Sequence, residues 1–289
     1  MNTINILLSV NSLFLEPLKV LLFSLFKTQT FPIAIHFFNE ALSGEEQENL
    51  KKFCEKLSFK LSFYEIPLSF KKSVKVQEKK LKENKLTVET YFRLLAPLML
   101  PFLDRILWLD ADCLVQRDLK DFYFQDLGDN FIAACDHAAW NIEGLDFSYF
   151  PRKPHGEYFN AGVILFDLKK CRKIRGFQLD NLEKVVRMNT PFFDQDVLNE
   201  FFRGRVLYCD PLKYNMFLNQ GWDHSFHNHP IQYKLYKEAF ILHYCCPDKP
   251  WDVPCILEYE KAKYWLNMRD SMNQELEKKN DQNICRCIM

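Results

Sequence analysis

The sequence predicts an α/β protein built on an open, mostly parallel sheet with helices on both faces. Three observations carry that reading. Short apolar runs at residues 4–10, 33–38 and 59–66 alternate with longer stretches of helical character, the order expected of parallel strands joined by crossover helices. A further apolar run, residues 105–109, ends in two carboxylates, Asp110 and Asp112. Open α/β sheets bind ligands beyond the carboxyl ends of their strands, so these carboxylates mark the functional edge.

The elements follow in order. Ile4-Asn5-Ile6-Leu7-Leu8-Ser9-Val10 reads as a buried first strand, and residues 17–26 as an apolar-striped helix. Residues 33–38 form a second strand. Ser43-Gly44-Glu45-Glu46 has the signature of a helix start, and the helix runs to Lys56. Residues 59–66 form a third strand. Lys71, Lys72, Lys75, Lys79, Lys80, Lys82 and Lys85 follow in a stretch with few apolar residues. It is either a solvated loop or exposed helix, or a loop that closes on an anionic ligand. Residues 87–100 are expected as a helix ending at Pro101, with Pro97 as a kink. Strands are expected at 105–109, 130–135 and 162–167, and a helix at 194–202. The last third is aromatic-rich and irregular. With no internal repeat or linker, one domain is expected over residues 1–260, followed by a C-terminal helical tail, 261–289.

Composition sets outer bounds. The chain has 289 residues, 48% of them hydrophobic and 27 of them Phe, enough for a substantial core. Lys+Arg and Asp+Glu both number 38, which gives no bulk attraction to nucleic acid. The 10 cysteines are dispersed without a CxxC pair, so reduced thiols are expected and no structural zinc. Residues 4–10 are too short to cross a bilayer and lack the flanks of a signal peptide. A cytoplasmic location is therefore expected. Arg286 stands where a prenylation box at the C-terminus requires cysteine.

Four motifs carry the chemistry. In Leu107-Trp108-Leu109-Asp110-Ala111-Asp112, two carboxylates one residue apart share a face if the chain stays extended. Paired hard anionic oxygens suit Mg²⁺ or Mn²⁺, which can bridge to a diphosphate; solvated loop carboxylates are the plain alternative. In His243-Tyr244-Cys245-Cys246-Pro247-Asp248-Lys249-Pro250-Trp251, the imidazole is a candidate metal ligand and Lys249 a point charge for phosphate. Taken alone, a histidine after an apolar strand is more often a packed or hydrogen-bonded core residue. In Glu157-Tyr158-Phe159-Asn160-Ala161-Gly162, small residues open an apolar strand and permit close approach of a ligand or another backbone. Asn160 can bond sugar hydroxyls there, or the segment is simply a turn. Phe193-Asp194-Gln195-Asp196 places two carboxylates around an amide at a helix start, where Asp194 is either an N-cap or a group facing a sugar.

Taken in this order, the motifs resemble glycosyltransferase family 8, in particular bacterial enzymes that add α-linked galactose or glucose to lipopolysaccharide or lipooligosaccharide. The resemblance runs from about residue 4 to about residue 255. It includes Thr90-Tyr91-Phe92-Arg93 and the segments 107–118, 126–130, 156–170, 194–199 and 243–251. It implies a GT-A fold and retention of anomeric configuration. It implies a UDP-hexose donor, a carbohydrate or glycolipid acceptor, and a Mn²⁺ or Mg²⁺ cofactor held by Asp110, Asp112 and His243. Lys249 matches the lysine at the diphosphate, and Arg93 an arginine near the donor sugar. Ala111, Asn160, Ala161, Gly162, Asp194 and Gln195 match donor-binding positions. Gln195 matches the amide nearest the β face of the anomeric carbon, so Gln195, Asp194, Asp110 and Asp112 are the expected catalytic group.

Two departures bear on the donor. Where such enzymes carry Ala-x-Asp-x-Asn-Tyr beside uridine, this chain has Ser9, Asn11, Leu13 and Phe14. Asn11 can still bond uracil and Phe14 can stack on it. The usual glycine between the metal-binding histidine and the lysine is Cys246, placed beside the diphosphate. Residues 274–289 have little of the basic, aromatic character of a membrane-binding tail, so weak peripheral contact at the inner face of the cytoplasmic membrane is the most that is expected. Paired aspartates also serve phosphoesterases and nucleotidyltransferases, and a non-catalytic UDP-sugar binder would keep the same residues; release of UDP separates these readings.

Overall fold

A computed structural model describes residues 3–137, 158–217, 230–245, 249–252 and 260–287. Cys246 lies outside the described residues, as does most of the loop expected before Asn160.

Among the described residues, a seven-stranded sheet has the order β3-β2-β1-β4-β7-β6-β8. Its strands are β1 (Ile4–Leu8), β2 (Ile33–Asn39), β3 (Lys60–Glu65), β4 (Arg105–Leu109), β6 (Ile132–Asp136), β7 (Phe159–Asp167) and β8 (Val206–Cys209). β5 (Cys113–Val115) and β9 (Ile241–His243) form a separate antiparallel pair. β1, β2, β3 and β4 pair in parallel, as do β6 and β8, while β7 runs antiparallel to both neighbours.

Strand alternation divides the core between the two faces. Ile6, Leu107 and Leu165 pack on one side with Leu18, Leu21 and Phe23 of the helix Leu15–Thr28. Leu7, Ile106, Trp108 and Ile164 pack on the other with Tyr91, Phe92 and Leu94. Burial on both faces explains the apolar runs of the central strands. The expected capping box is present: Ser43 Oγ accepts from Glu46 N at 3.2 Å, and Glu46 Oε2 accepts from Ser43 N at 2.8 Å.

The structure corrects several expectations. Residues 87–100 are not one α-helix. Val88–Leu95 is a 3₁₀ stretch, and a single α turn, Ala96–Met99, follows with Pro97 in its opening turn, where its missing N–H is harmless. The lysine-rich stretch, by contrast, takes the helical form that was one of its expected readings, as Leu68–Val74, Lys75–Gln77 and Glu78–Glu83, and Lys80 bonds Asn189 and Thr190. In the last third, β8 and β9 add regular structure that was not expected, while a helix over Glu260–Cys287 stands where the helical tail was expected, its Trp265 fully buried in the core. β7 begins at Phe159, ahead of Gly162, and its pairing with β6 shifts register between Ala134 and Cys135.

Candidate active site

The site forms where β4 and β9 end and β7 begins. Asp110 and Asp112 do not share a face by strand alternation. The chain turns after β4, closed by Cys113 N–H donating to Asp110 O at 3.0 Å. This turn leads into β5, whose Cys113 pairs with His243 of β9. Both carboxylates thereby reach the same imidazole nitrogen. His243 Nε2 stands 3.3 Å from Asp112 Oδ1 and 3.7 Å from Asp110 Oδ2. It is buried and has no hydrogen-bond partner.

An orphaned buried nitrogen aimed between two carboxylates fits a cation bound by all three. Carboxylate oxygens suit Mn²⁺ or Mg²⁺, and the imidazole favours the transition metal of the two. The Cys113 thiol lies in the same cluster with Asp112 and His243, their ligand atoms within 4.8 Å of one another. Burial, with Asp112 and Asp110 nearby, pushes the pKa of the metal-free thiol well up. Asp112 behaves oppositely: burial opposes its charge, but Lys249 and His243 hold it well below the usual carboxylate range. For His243, burial opposes protonation while Cys245, Asp112 and Asp110 favour it, and the net displacement is upward.

Each ligand is positioned by neighbours. Asp110 Oδ1 accepts from Trp108 Nε1 at 2.8 Å and pairs with Arg93 at 3.0 Å, leaving Oδ2 toward His243. Arg93 is buried over the Trp108 ring and also holds Asp194 at 3.0 Å, Thr90 O and Ala161 O. It is thus a hub joining the expected metal and sugar groups, with its donors largely committed to protein. Asp194 is not an N-cap: Phe193 takes that place, at φ 53°, and Asp194 turns inward to Arg93 and to Thr90 Oγ1 at 2.7 Å. Burial raises Asp194 to about 6 against the pull of Arg93 and Thr90. Gln195 accepts from Ala161 N at 3.0 Å and donates to Tyr158 OH at 3.3 Å, so both ends of its amide are held.

Gly162 has a function that composition alone suggested only loosely. A Cβ there would lie 2.1 Å from His243 Cε1. Glycine is needed for the imidazole, rather than another backbone, to lie against β7. Asn215, which sequence reasoning missed, is fully buried and joins His243 Nδ1 (2.8 Å) to Asn160 (2.9 Å). It lies in no recognisable motif, and a lone asparagine in an aromatic-rich segment gives no periodic signal.

A cleft of about 440 Å³ takes in Ser9, Phe14, Arg93, Asp110, Ala111, Asp112, Asn160, Ala161, Gly162, Asp194, Gln195, His243 and Lys249. Lys249 Nζ bonds Asp112 Oδ2 and Tyr244 O, both at 2.6 Å. The first-strand end is arranged less as expected. Asn11 Oδ1 caps Leu13 N at 3.1 Å, Leu13 is 82% exposed, and Ser9 Oγ bonds Phe38 O at 2.7 Å. Phe14 meets Trp251 edge-on at 6.0 Å.

Comparison with known proteins gives a consistent result. Residues 5–254 match glycosyl transferase family 8. Lipopolysaccharide 1,2-glucosyltransferase of Escherichia coli is 30% identical over 61% of this chain and 52% of its own length. Lipopolysaccharide 1,3-galactosyltransferase of Salmonella typhimurium is 27% identical over 76% of this chain and 64% of its own. The chain therefore spans about half to two thirds of these two relatives. The structure of galactosyltransferase LgtC in complex with donor and acceptor sugar analogs superposes with a TM-score of 0.66 at 23% identity, covering 93% of this chain and 96% of that one. That likeness makes the mostly parallel sheet a GT-A fold. With a match extending over nearly all of the sheet and every element of the cleft, the chain belongs to glycosyl transferase family 8, and it is a glycosyltransferase.

Proposed function

We propose that the chain is a retaining hexosyltransferase that moves galactose or glucose from a UDP-sugar to a carbohydrate acceptor, in lipopolysaccharide core or lipooligosaccharide synthesis. The observation that carries this is the convergence of Asp110, Asp112 and the orphaned His243 Nε2 beside Lys249. The names of the lipopolysaccharide glucosyl- and galactosyltransferase relatives support the acceptor class.

Asp110, Asp112 and His243 would hold Mn²⁺ or Mg²⁺, which supplies Lewis-acid charge to a departing diphosphate. Lys249 adds its ammonium at the leaving group. Asp194 and Asn160 orient the donor hexose, and Arg93 fixes Asp194 against Asp110. Ser9, Asn11 and Phe14 would serve the uridine, Ala111 the donor sugar, and Cys246, by its place in the motif, the diphosphate. Gln195 faces the β side of the anomeric carbon as a neutral amide, a poor nucleophile whose two ends are already bonded. Asp194 is tied to Arg93 and Thr90. Same-face attack is therefore favoured over double displacement, with the leaving phosphate oxygen taking the acceptor proton.

Residues 1–260 are taken as the catalytic domain and 261–289 as its helical tail. Among the described residues, no helix is long and apolar enough to cross a membrane. Weak contact with the inner face of the cytoplasmic membrane fits an acceptor carried there, and exposed Lys72, Lys75 and Lys79 are basic groups suited to it.

The test is release of UDP from UDP-galactose and from UDP-glucose, with Mn²⁺ and with EDTA. Release from one donor that EDTA abolishes is expected, and it identifies the sugar. Release of phosphate in place of UDP would overturn the reading.

A further inference from the structure

We infer that Asn215 fixes the tautomer of His243, under the direction of a backbone N–H two residues beyond Asn160. The deduction starts from the one group whose polarity is certain. Gly162 N–H is a donor and points at the Asn160 side chain at 2.9 Å. The atom it meets must be an acceptor, so it is Oδ1. That same oxygen receives the Asn215 side chain at 2.9 Å, so the Asn215 atom there must be the donor Nδ2. The other end of the Asn215 amide is then Oδ1, an acceptor only. It faces His243 Nδ1 at 2.8 Å, so Nδ1 carries the proton. In the neutral ring, Nε2 is left with its lone pair, aimed between Asp110 and Asp112.

The relay opposes a local preference. With two carboxylates 3.3 and 3.7 Å from Nε2, an unassisted imidazole would place its proton on Nε2 and donate to them. That tautomer has no lone pair for a cation. Asn215 is 0% exposed and His243 1%, so water cannot substitute as the Nδ1 acceptor. Asn215 is thus a positioning residue. It acts through His243 and, as placed, touches neither the carboxylates nor the open cleft. Gly162 enters twice, as the donor that starts the relay and as the gap that admits the ring.

The inference rests on the metal-site reading only for its consequence, so the test has two arms. In the first, long-range ¹H–¹⁵N correlation spectra of the histidine rings are recorded on the metal-free protein at alkaline pH, where His243 is neutral. The His243 signal is assigned by its loss in His243→Gln. Protonation at Nδ1 is expected in the wild type and in Asn215→Asp, which keeps an acceptor. Transfer of the proton to Nε2 is expected in Asn215→Leu. A wild-type ring protonated at Nε2, or an Asn215→Leu ring unchanged from wild type, would overturn the inference. In the second arm, Mn²⁺ binding is followed by electron paramagnetic resonance. Asn215→Leu should bind on the order of 10–100-fold more weakly, the usual effect of losing the partner of a ligating histidine, and Asn215→Asp should recover much of that loss. Equal affinities in wild type and Asn215→Leu would overturn it. If the wild type takes up no Mn²⁺, the metal reading falls while the spectra still decide the relay.

Discussion

Gly162→Ala tests the site through sterics alone, with no change of charge or hydrogen-bonding group. The added methyl would stand 2.1 Å from His243 Cε1, 2.8 Å from Nδ1 and 2.9 Å from Nε2. Carbon–carbon contacts settle near 3.5 Å or beyond, so the ring must retreat by about 1.4 Å or the strand must move. Neither is easy. The ring is fully enclosed and pinned at Nδ1 by Asn215, and β7 is bonded on both edges. Overpacking of this kind costs about 1–3 kcal/mol of stability. Misplacing a reacting group by ~1 Å costs on the order of 100-fold in rate. The assay is UDP release against Mn²⁺ concentration, with thermal unfolding run alongside. The expected variant is folded, less stable, far slower and in need of more Mn²⁺. A folded variant with wild-type turnover and the same Mn²⁺ requirement would refute the placement of His243 at the metal.

Other outcomes follow from the same geometry. Asp110→Asn and Asp112→Asn should each remove at least about 2 kcal/mol of transition-state stabilisation, read as a fall in kcat/KM for UDP release. Gln195→Ala should slow transfer without abolishing it, and a trapped glycosyl adduct on Gln195 or Asp194 would instead establish double displacement. His36 gives a pH test away from the cleft. It sits between Tyr64 OH and Asn5 Oδ1, and burial, with Lys60 nearby, lowers its pKa to about 4. The unfolded chain binds this proton near pH 6.5 and the folded chain does not until about pH 4. Stability should therefore fall as pH drops through that window. Chemical denaturation should show His36→Gln losing up to about 3 kcal/mol less than wild type across it.

Much of this was legible from residue order, for physical reasons that differ by element. β1, β2 and β4 are central strands, and burial on both faces leaves apolar runs that stand out. The Asp110 and Asp112 pair was found by chemistry, but its geometry was not. The shared direction of the carboxylates comes from a turn and from β9, which is distant in sequence. β5 and β9 are three residues each, too short for any period to show. The reversed direction of β7 is invisible in a pattern that reads the same both ways. Asn215 had no signal because its value lies in which atoms surround it. The first-strand end was only partly readable: Asn11 is a good partner for uracil by type, yet here its oxygen caps Leu13.

The bond between Lys249 and Asp112 has a thermodynamic consequence. A carboxylate enclosed this far needs a counter-ion whether or not a metal is present, and the ammonium at 2.6 Å supplies one. A cation bound by Asp112 would take over that counter-ion role, and a diphosphate beside Lys249 would give the ammonium a new partner, so the two ligands would share the cost of parting the pair. Binding free energies linked in this way are reciprocal: the factor by which Mn²⁺ tightens UDP must equal the factor by which UDP tightens Mn²⁺.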